Sequence, residues 1–103
     1  MNPRIEQFEL VLEQKKDDPF IWYALGVEYK NEQNFDKSQY YFEQCMKRFP
    51  EYVPTYLQYG MLLVDSDMYE NAKAVLDVGI QKAIKAGNTH AASEMEGVLN
   101  SFA

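Results

Sequence analysis

The sequence predicts an all-α fold of about six helices arranged as antiparallel hairpins, and two observations lead to this prediction. Large and small residues recur at a constant offset of 34 positions along the chain. Within each repeat, apolar residues follow the i, i+3, i+4, i+7 spacing that places them on one face of an α-helix. Because one hairpin cannot bury its apolar face alone, we expect the hairpins to stack on one another.

The repeat consists of two segments, each centred on a glycine. Generic amphipathic patterning does not keep one offset over many positions, so the repeat indicates two copies of one supersecondary unit. The aligned pairs, each 34 residues apart, are Trp22 with Tyr56, Leu25 with Tyr59, Gly26 with Gly60, Tyr29 with Leu63, Phe35 with Tyr69, Ser38 with Ala72 and Phe42 with Leu76.

The first half of the chain is expected to form three helices. The first opens at Asn2 and the second at Asp18, because each is a capping residue followed by a proline. Asp36 is expected to cap the third helix, in a capping box with Gln39. This helix ends before Pro50, which cannot continue it.

The second half is expected to form three more helices. No proline ends the fifth helix, and apolar residues continue through Ile84, so this helix is expected to run to about Ala86. Lys85 lies where the helix dipole favours a cation, and Gly87 is suited to a left-handed residue after the helix. Thr89 opens the last helix. We expect one domain over residues 1–103, in which a capping helix (1–18), two repeats (19–52 and 53–86) and a second capping helix (87–103) follow one another.

Composition excludes several classes of function. The formal net charge of −6 argues against binding a phosphate backbone, and a single cysteine, Cys45, excludes an intrachain disulfide or a multi-cysteine zinc site. No stretch approaches the ~20 apolar residues of a membrane span, and the charged N-terminal residues do not form a signal peptide. We therefore expect a cytoplasmic protein that binds neither nucleic acid nor membrane.

The first repeat resembles the tetratricopeptide repeat, whose pattern is W-x2-L-G-x2-Y, A-x3-F, P. The second repeat keeps Gly60 and Ala72, replaces the other positions by apolar residues and lacks the final proline. The resemblance covers residues 19–86 and implies a short right-handed superhelix of hairpins. The matching residues of the first repeat are Trp22, Leu25, Gly26, Tyr29, Ser38, Phe42 and Pro50, with Ser38 in place of alanine.

The glycines also have a physical interpretation. Glycine inside a helix costs about 1 kcal/mol relative to alanine, a cost that is explained if two backbones approach closely there. We expect Gly26 and Gly60 to mark such contacts, with Ser38 and Ala72 opposite them. Aromatic residues, among them Phe35, are expected to supply the bulk of the core.

Candidate catalytic and metal-binding residues are few. Cys45 and His90 are the sole cysteine and histidine, and no third group orients them, so we interpret Cys45 as a core residue. The run from Asp65 to Glu70 begins like a calcium loop but has Tyr69 and Glu70 at positions that require an oxygen ligand and glycine. We therefore predict no enzyme activity, no cofactor and no metal site.

A second apolar stripe lies on the first helix of each repeat, beyond what the hairpin requires. In tetratricopeptide proteins these positions line a concave groove that binds peptides, so the resemblance implies a binding site here; extra core packing is the alternative interpretation. The Lys, Asn and Arg residues of the carboxylate clamp of one subfamily are absent. The candidate partner-binding residues are the apolar Phe20, Tyr23, Val27, Leu57, Met61 and Val64 and the polar Lys30, Asn31 and Gln58.

The predicted function is a non-enzymatic module that binds a protein or peptide segment in a largely apolar helical groove. The alternative is a structural role through homo-oligomerisation, in which the groove or an end helix docks on a second copy. Oligomeric state distinguishes the two.

Overall fold

The computed structural model describes residues 2–103 and shows six α-helices joined by short connections. They are α1 (Pro3–Gln14), α2 (Pro19–Asn31), α3 (Phe35–Arg48), α4 (Pro54–Asp65), α5 (Tyr69–Lys85) and α6 (Thr89–Phe102). Over the described residues there is no strand. The predicted all-α fold of about six helices is confirmed.

The helices form two compact units, the first ending at Tyr52 and the second beginning at Val53. In the first unit, α1 and α3 both pack against α2. In the second unit, α5 packs against α4 and α6, and α6 also contacts α4.

Capping side chains fix where helices of the first unit begin. The carboxamide oxygen of Asn2 accepts from the backbone N–H of Arg4 at 2.9 Å, and a carboxylate oxygen of Asp18 accepts from that of Phe20 at 3.0 Å. Both predicted starts are confirmed. Such a bond satisfies one of the backbone donors that a helix start leaves without an intrahelical partner.

The start of α3 differs from the prediction. Asn34 caps this helix, and its side chain accepts from the Lys37 N–H at 3.3 Å. Gln33 has φ of 60° and turns the chain just before the cap. The predicted cap at Asp36 was wrong. This residue lies within the first turn, where its negative charge interacts favourably with the positive end of the helix dipole.

The helix ends agree with the sequence signals. α3 ends at Arg48, before Pro50, and α5 continues to Lys85. Gly87 has φ of 74°, the left-handed conformation in which residues other than glycine are strained. Thr89 is the first residue of α6, as predicted.

Close helix contacts occur at both repeat glycines. A Cβ atom placed on Gly26 would lie 2.4 Å from Phe42 Cε1, and one placed on Gly60 would lie 2.5 Å from Leu76 Cδ2. Both glycines therefore lie at close contacts between helices, but the side chains of Phe42 and Leu76 face them, rather than a second backbone with Ser38 and Ala72 as expected. Ser38 contributes differently, because its hydroxyl donates to the Gly26 carbonyl at 2.7 Å.

A third close contact occurs within the second unit, at Gly79. A Cβ atom at this position would lie 2.3 Å from Tyr56 Cβ and 2.5 Å from Met95 Sδ. Met95 is fully buried, so α6 inserts a side chain against the hairpin of α4 and α5. This contact positions the last helix.

Two repeat positions expected in the core are exposed. Phe35 and Tyr69 occupy the first residues of α3 and α5, and both side chains remain substantially accessible to solvent. Tyr69 contacts the Phe102 ring at 5.4 Å and donates to an Asp67 carboxylate oxygen at 2.9 Å. The expectation that Phe35 supplies core bulk was wrong, because its side chain lies at the first residue of α3 and the residue remains 42% exposed.

Candidate functional site

The first candidate surface is the α2 face, defined by Phe20, Tyr23 and Val27. These residues follow one another at i, i+3 and i+7, to one side of the buried Ile21 and Leu25. Phe20 is 50% exposed, whereas Tyr23 and Val27 are half-buried. The α2 face therefore has one open aromatic ring beside two partly covered side chains.

Tyr23 connects this surface to the core. Its ring centroid lies 6.3 Å from that of Phe20, 6.4 Å from that of buried Phe42 and 5.8 Å from that of Tyr52. Aromatic pairs at such distances stabilise one another beyond their buried area. The Tyr23 ring therefore contacts both the exposed Phe20 and the buried Phe42, and so links the α2 face to the core.

Burial favours the neutral, protonated form of Tyr23 and Tyr52. It raises the pKa of Tyr23 above the ordinary value, with a smaller contribution from Cys45. Burial also raises the pKa of Tyr52, with the neighbouring Tyr23 hydroxyl as the next cause. Both hydroxyls are therefore neutral at physiological pH and able to donate and accept hydrogen bonds.

The polar candidates of α2 lie at its C-terminal end. Lys30 is half-buried and Asn31, the last residue of the helix, is exposed. Phe20 lies about three helical turns away at the opposite end of the same helix, whereas Val27 lies within about one turn of Lys30.

The second candidate surface is the α4 face in the second unit, defined by Leu57, Gln58, Met61 and Val64. All four side chains are half-buried. Its apolar residues follow one another at i, i+4 and i+7 on α4. No member is as open as Phe20.

Two aromatic residues at the α2 face were not among the sequence candidates. Phe8 of α1 contacts Phe20 edge-on at 6.4 Å, and Tyr52 contacts Tyr23. The spacing of apolar residues in α1 places Phe8 on the packed side of its helix, but the spacing does not indicate which ring it meets. Tyr52 lies between helices, where periodicity carries no signal.

A shallow depression of about 420 Å³ adjoins the start of α2. The guanidinium of Arg48, which lines it, lies 4.5 Å from the centroid of the Trp22 ring, a cation–π contact. Arg48 Nε also donates to the Gln44 side chain at 3.4 Å. The other lining residues are Pro19, Phe49, Pro50, Glu51 and Tyr52.

The two residues considered for chemistry, Cys45 and His90, do not lie together. Cys45 is buried in the first unit, and its thiol contacts the Pro19 carbonyl oxygen at 3.5 Å. His90 is exposed on α6 of the second unit, 3.3 Å from a Glu94 carboxylate oxygen.

Within residues 2–103, no three or more histidine, cysteine, aspartate or glutamate residues are placed to hold a metal ion. In the same range, no helix combines the length and apolar character that crossing a membrane demands.

Known proteins similar to this chain share its architecture. The Tetratricopeptide repeat family model matches residues 19–52. A tetratricopeptide repeat domain protein from Salinibacter ruber is 30% identical, with a TM-score of 0.75, and the match covers 80% of this chain and 92% of that protein.

Two more distant structures support the fold. The TPR2B domain of yeast Sti1, solved as a complex with pHsp70, has a TM-score of 0.88 at 14% identity, over 93% of this chain and 77% of that one. A Bordetella parapertussis protein has a TM-score of 0.83 at 21% identity, over 98% and 88%. No curated protein matches the chain significantly. The repeat motif, the glycine contacts and the Salinibacter relative together show that the chain belongs to the tetratricopeptide-repeat family, whose members generally serve as protein–protein interaction modules.

Proposed function

We propose that this protein is a non-enzymatic binding module that captures a protein or peptide segment on the α2 face. The observation that supports this most is Phe20, which is 50% exposed and continues into the partly exposed rings of Phe8 and Tyr23. Contiguous exposed apolar surface, unlike single scattered residues, is typical of interaction sites.

The physical basis of binding would be burial of aromatic surface. A phenylalanine ring has ~150–250 Å² of surface, and Phe20 keeps half of its side chain available. Because Tyr23 is already held by Phe42 and Tyr52, little side-chain entropy remains to be lost when a partner docks. Lys30 and Asn31 would then offer polar contacts that set the register of a bound segment.

The α4 face is proposed as a second contact surface. Leu57, Met61 and Val64 repeat the apolar spacing seen on α2, and Gln58 supplies an amide beside them. The flexible Met61 side chain suits an adaptable contact. The complex of the yeast relative with pHsp70 adds support, since it shows a chain of this fold engaging another protein component.

The experiment is quantitative capture from a lysate with three baits: the wild type, Phe20→Ser and the control Tyr40→Ser. Tyr40 is 51% exposed on α3, so this control removes an aromatic ring as accessible as Phe20 from a different surface. We expect a partner that the wild type and the control retain and Phe20→Ser loses, with unchanged helicity by circular dichroism. Retention of the same partner by Phe20→Ser would contradict the proposal. Sedimentation at several concentrations tests homo-oligomerisation: self-association that Phe20→Ser abolishes would assign the surface to a second copy.

A further inference from the structure

Helix α1 is held on the first unit by little buried surface. Within the described helix Pro3–Gln14, Ile5 alone is buried, whereas α2 buries six residues and α3 buries three. Phe8, Val11 and Leu12 are only partly buried against the same core. Because burial of apolar side chains supplies most of the free energy that docks a helix, α1 is the least firmly docked helix of this unit.

The surface that α1 covers is mostly apolar. Three buried residues of α2 cluster with Ile5, and one half-buried residue of α3 packs against this cluster. We name the covered set the α1 seat, which consists of Ile21, Leu25, Tyr29 and Tyr41. The α1 seat adjoins the α2 face, and the contact between Phe8 and Phe20 joins the two surfaces.

Polar contacts also connect α1 to α2. Arg4 Nη1 is 3.6 Å from a Glu28 carboxylate oxygen, and the Arg4 side chain is 74% exposed. Asn2 Nδ2 donates to Glu28 Oε1 at 3.2 Å, and the exposed Glu9 accepts from the Tyr29 hydroxyl at 3.0 Å. Ion pairs and hydrogen bonds at exposed positions add little to stability, because water replaces the lost partner. These contacts therefore set the register of α1 more than they hold it.

The connection after α1 is fixed to α2. Trp22 Nε1 donates to the Lys16 carbonyl oxygen at 2.9 Å, and the Asp18 N–H donates to the Lys15 carbonyl oxygen at 3.1 Å. Asp18 also caps α2. Because these bonds do not involve α1, α2 keeps its cap and its connection when α1 moves away.

The helical state of α1 depends on its docking. The helix has 12 residues, a length at which an isolated helix is marginal in water. Detachment of α1 is therefore a local unfolding, which occurs most readily in elements with few buried contacts.

We propose that α1 is a detachable lid on the α1 seat, and that an amphipathic helix of a partner protein takes its place. The chemistry of this occupant follows from α1, which is seated there in the structure. Apolar side chains recur at i, i+3, i+6 and i+7 from Ile5, and Glu9 at i+4 provides the acceptor for the Tyr29 hydroxyl. The inference goes beyond the proposed function, because the α2 face is open in the structure whereas the α1 seat is covered.

Native-state amide hydrogen exchange of the full chain tests the opening of the lid. We expect α1 amides to exchange at least about tenfold faster than the slowest amides of α2 and α3, with little dependence on urea, because a local opening exposes little surface. Exchange of α1 at the rate and urea dependence of those slowest amides would mean that α1 opens only on global unfolding, and would overturn the inference.

Replacement of the lid is tested with a labelled peptide of residues 2–15 and a scrambled peptide of the same composition. Fluorescence anisotropy measures their affinities for the wild type, for Ile5→Ala and for the control Leu10→Ala. Ile5→Ala removes the buried side chain of α1, whereas Leu10 is 65% exposed on the same helix.

We expect Ile5→Ala to bind the peptide about tenfold or more tightly than the wild type, because its weakened lid competes less for the α1 seat. The control should bind as the wild type does, and the scrambled peptide should not bind. Equal affinity of Ile5→Ala and the wild type, equal binding of the scrambled peptide, or loss of cooperative unfolding in Ile5→Ala would each overturn the inference.

Sedimentation of the wild type distinguishes a partner helix from a second copy. A dimer that Ile5→Ala prevents would assign the α1 seat to α1 of another copy and overturn the partner assignment, whereas a monomer supports it. Lysate capture with Phe20→Ser tests the α2 face separately, because this variant leaves all four residues of the α1 seat unchanged.

Discussion

Substituting alanine for Gly26 tests the tightest contact between α2 and α3. The added Cβ would lie 2.4, 2.5 and 3.0 Å from Cε1, Cδ1 and Cγ of Phe42, well inside van der Waals distance. The Phe42 side chain is fully buried, so its ring cannot swing away without displacing the core. We expect Gly26→Ala to destabilise the protein even though alanine is the better helix former.

The magnitude follows from two opposing effects. Replacing glycine by alanine inside a helix contributes about 1 kcal/mol, whereas overpacking a core costs ~1–3 kcal/mol. The net loss for Gly26→Ala therefore lies between about zero and 2 kcal/mol. Gly97→Ala is the matched control, because Gly97 lies on exposed α6 surface and its Cβ would have no atom within 4 Å. This control should be more stable than the wild type by about 1 kcal/mol.

The assay is urea unfolding supported by thermal melts, in which 1 kcal/mol corresponds to a Tm change of roughly 4–8 °C. The difference between Gly26→Ala and Gly97→Ala isolates the overpacking cost, and Gly26→Leu should be worse than Gly26→Ala. If Gly26→Ala gained as much stability as Gly97→Ala, the argument that Phe42 occupies this space would be refuted.

Three further predictions concern the turns and polar contacts. Gly87→Ala should lower the free energy of unfolding by about 1–2 kcal/mol through backbone strain alone, since φ is 74° and no atom lies within 4 Å of the new Cβ; an unchanged urea midpoint would contradict this. Burial, and then the hydrogen bond to Glu9, raise the pKa of Tyr29 from 10.0 to about 12, so its contribution to stability is complete below pH 10 and is lost as the pH rises to about 12. Unfolding measured against pH should show this alkaline loss in the wild type and less of it in Tyr29→Phe. Ser38→Ala should cost about 0.5–1.5 kcal/mol by removing the hydrogen bond to the Gly26 carbonyl, and a melt identical to the wild type would refute that contribution.

Local chemistry made much of the helical organisation predictable. Proline after a capping residue sets the starts of α1 and α2, because the missing N–H costs nothing at the first helical position. Gly87 ends the segment before α6 because its backbone reaches φ of 74° without strain. These signals act over a few residues, so they can be interpreted without knowing what lies across the fold.

Competition between neighbouring capping residues was harder to resolve. Asn34 and Asp36 both have side chains that cap helices, and the left-handed turn at Gln33 decides in favour of Asn34. A turn conformation at a residue other than glycine has no strong sequence signal, so the start of α3 could not be predicted to the residue.

The constant 34-residue offset and the helical spacing established, without coordinates, that the chain forms paired helices with glycines at close contacts. Which side chains fill those contacts depended on packing: Phe42 faces Gly26, while Ser38 bonds its carbonyl. The exposure of Phe20 likewise depended on its neighbours. Periodicity assigns this residue to a helix face, but how much of its ring stays open depends on how Phe8 and Tyr23 approach it. A periodic pattern along one helix indicates which side chains lie on the same helix face. Burial depends on elements distant in sequence, and only the tertiary structure brings those elements together.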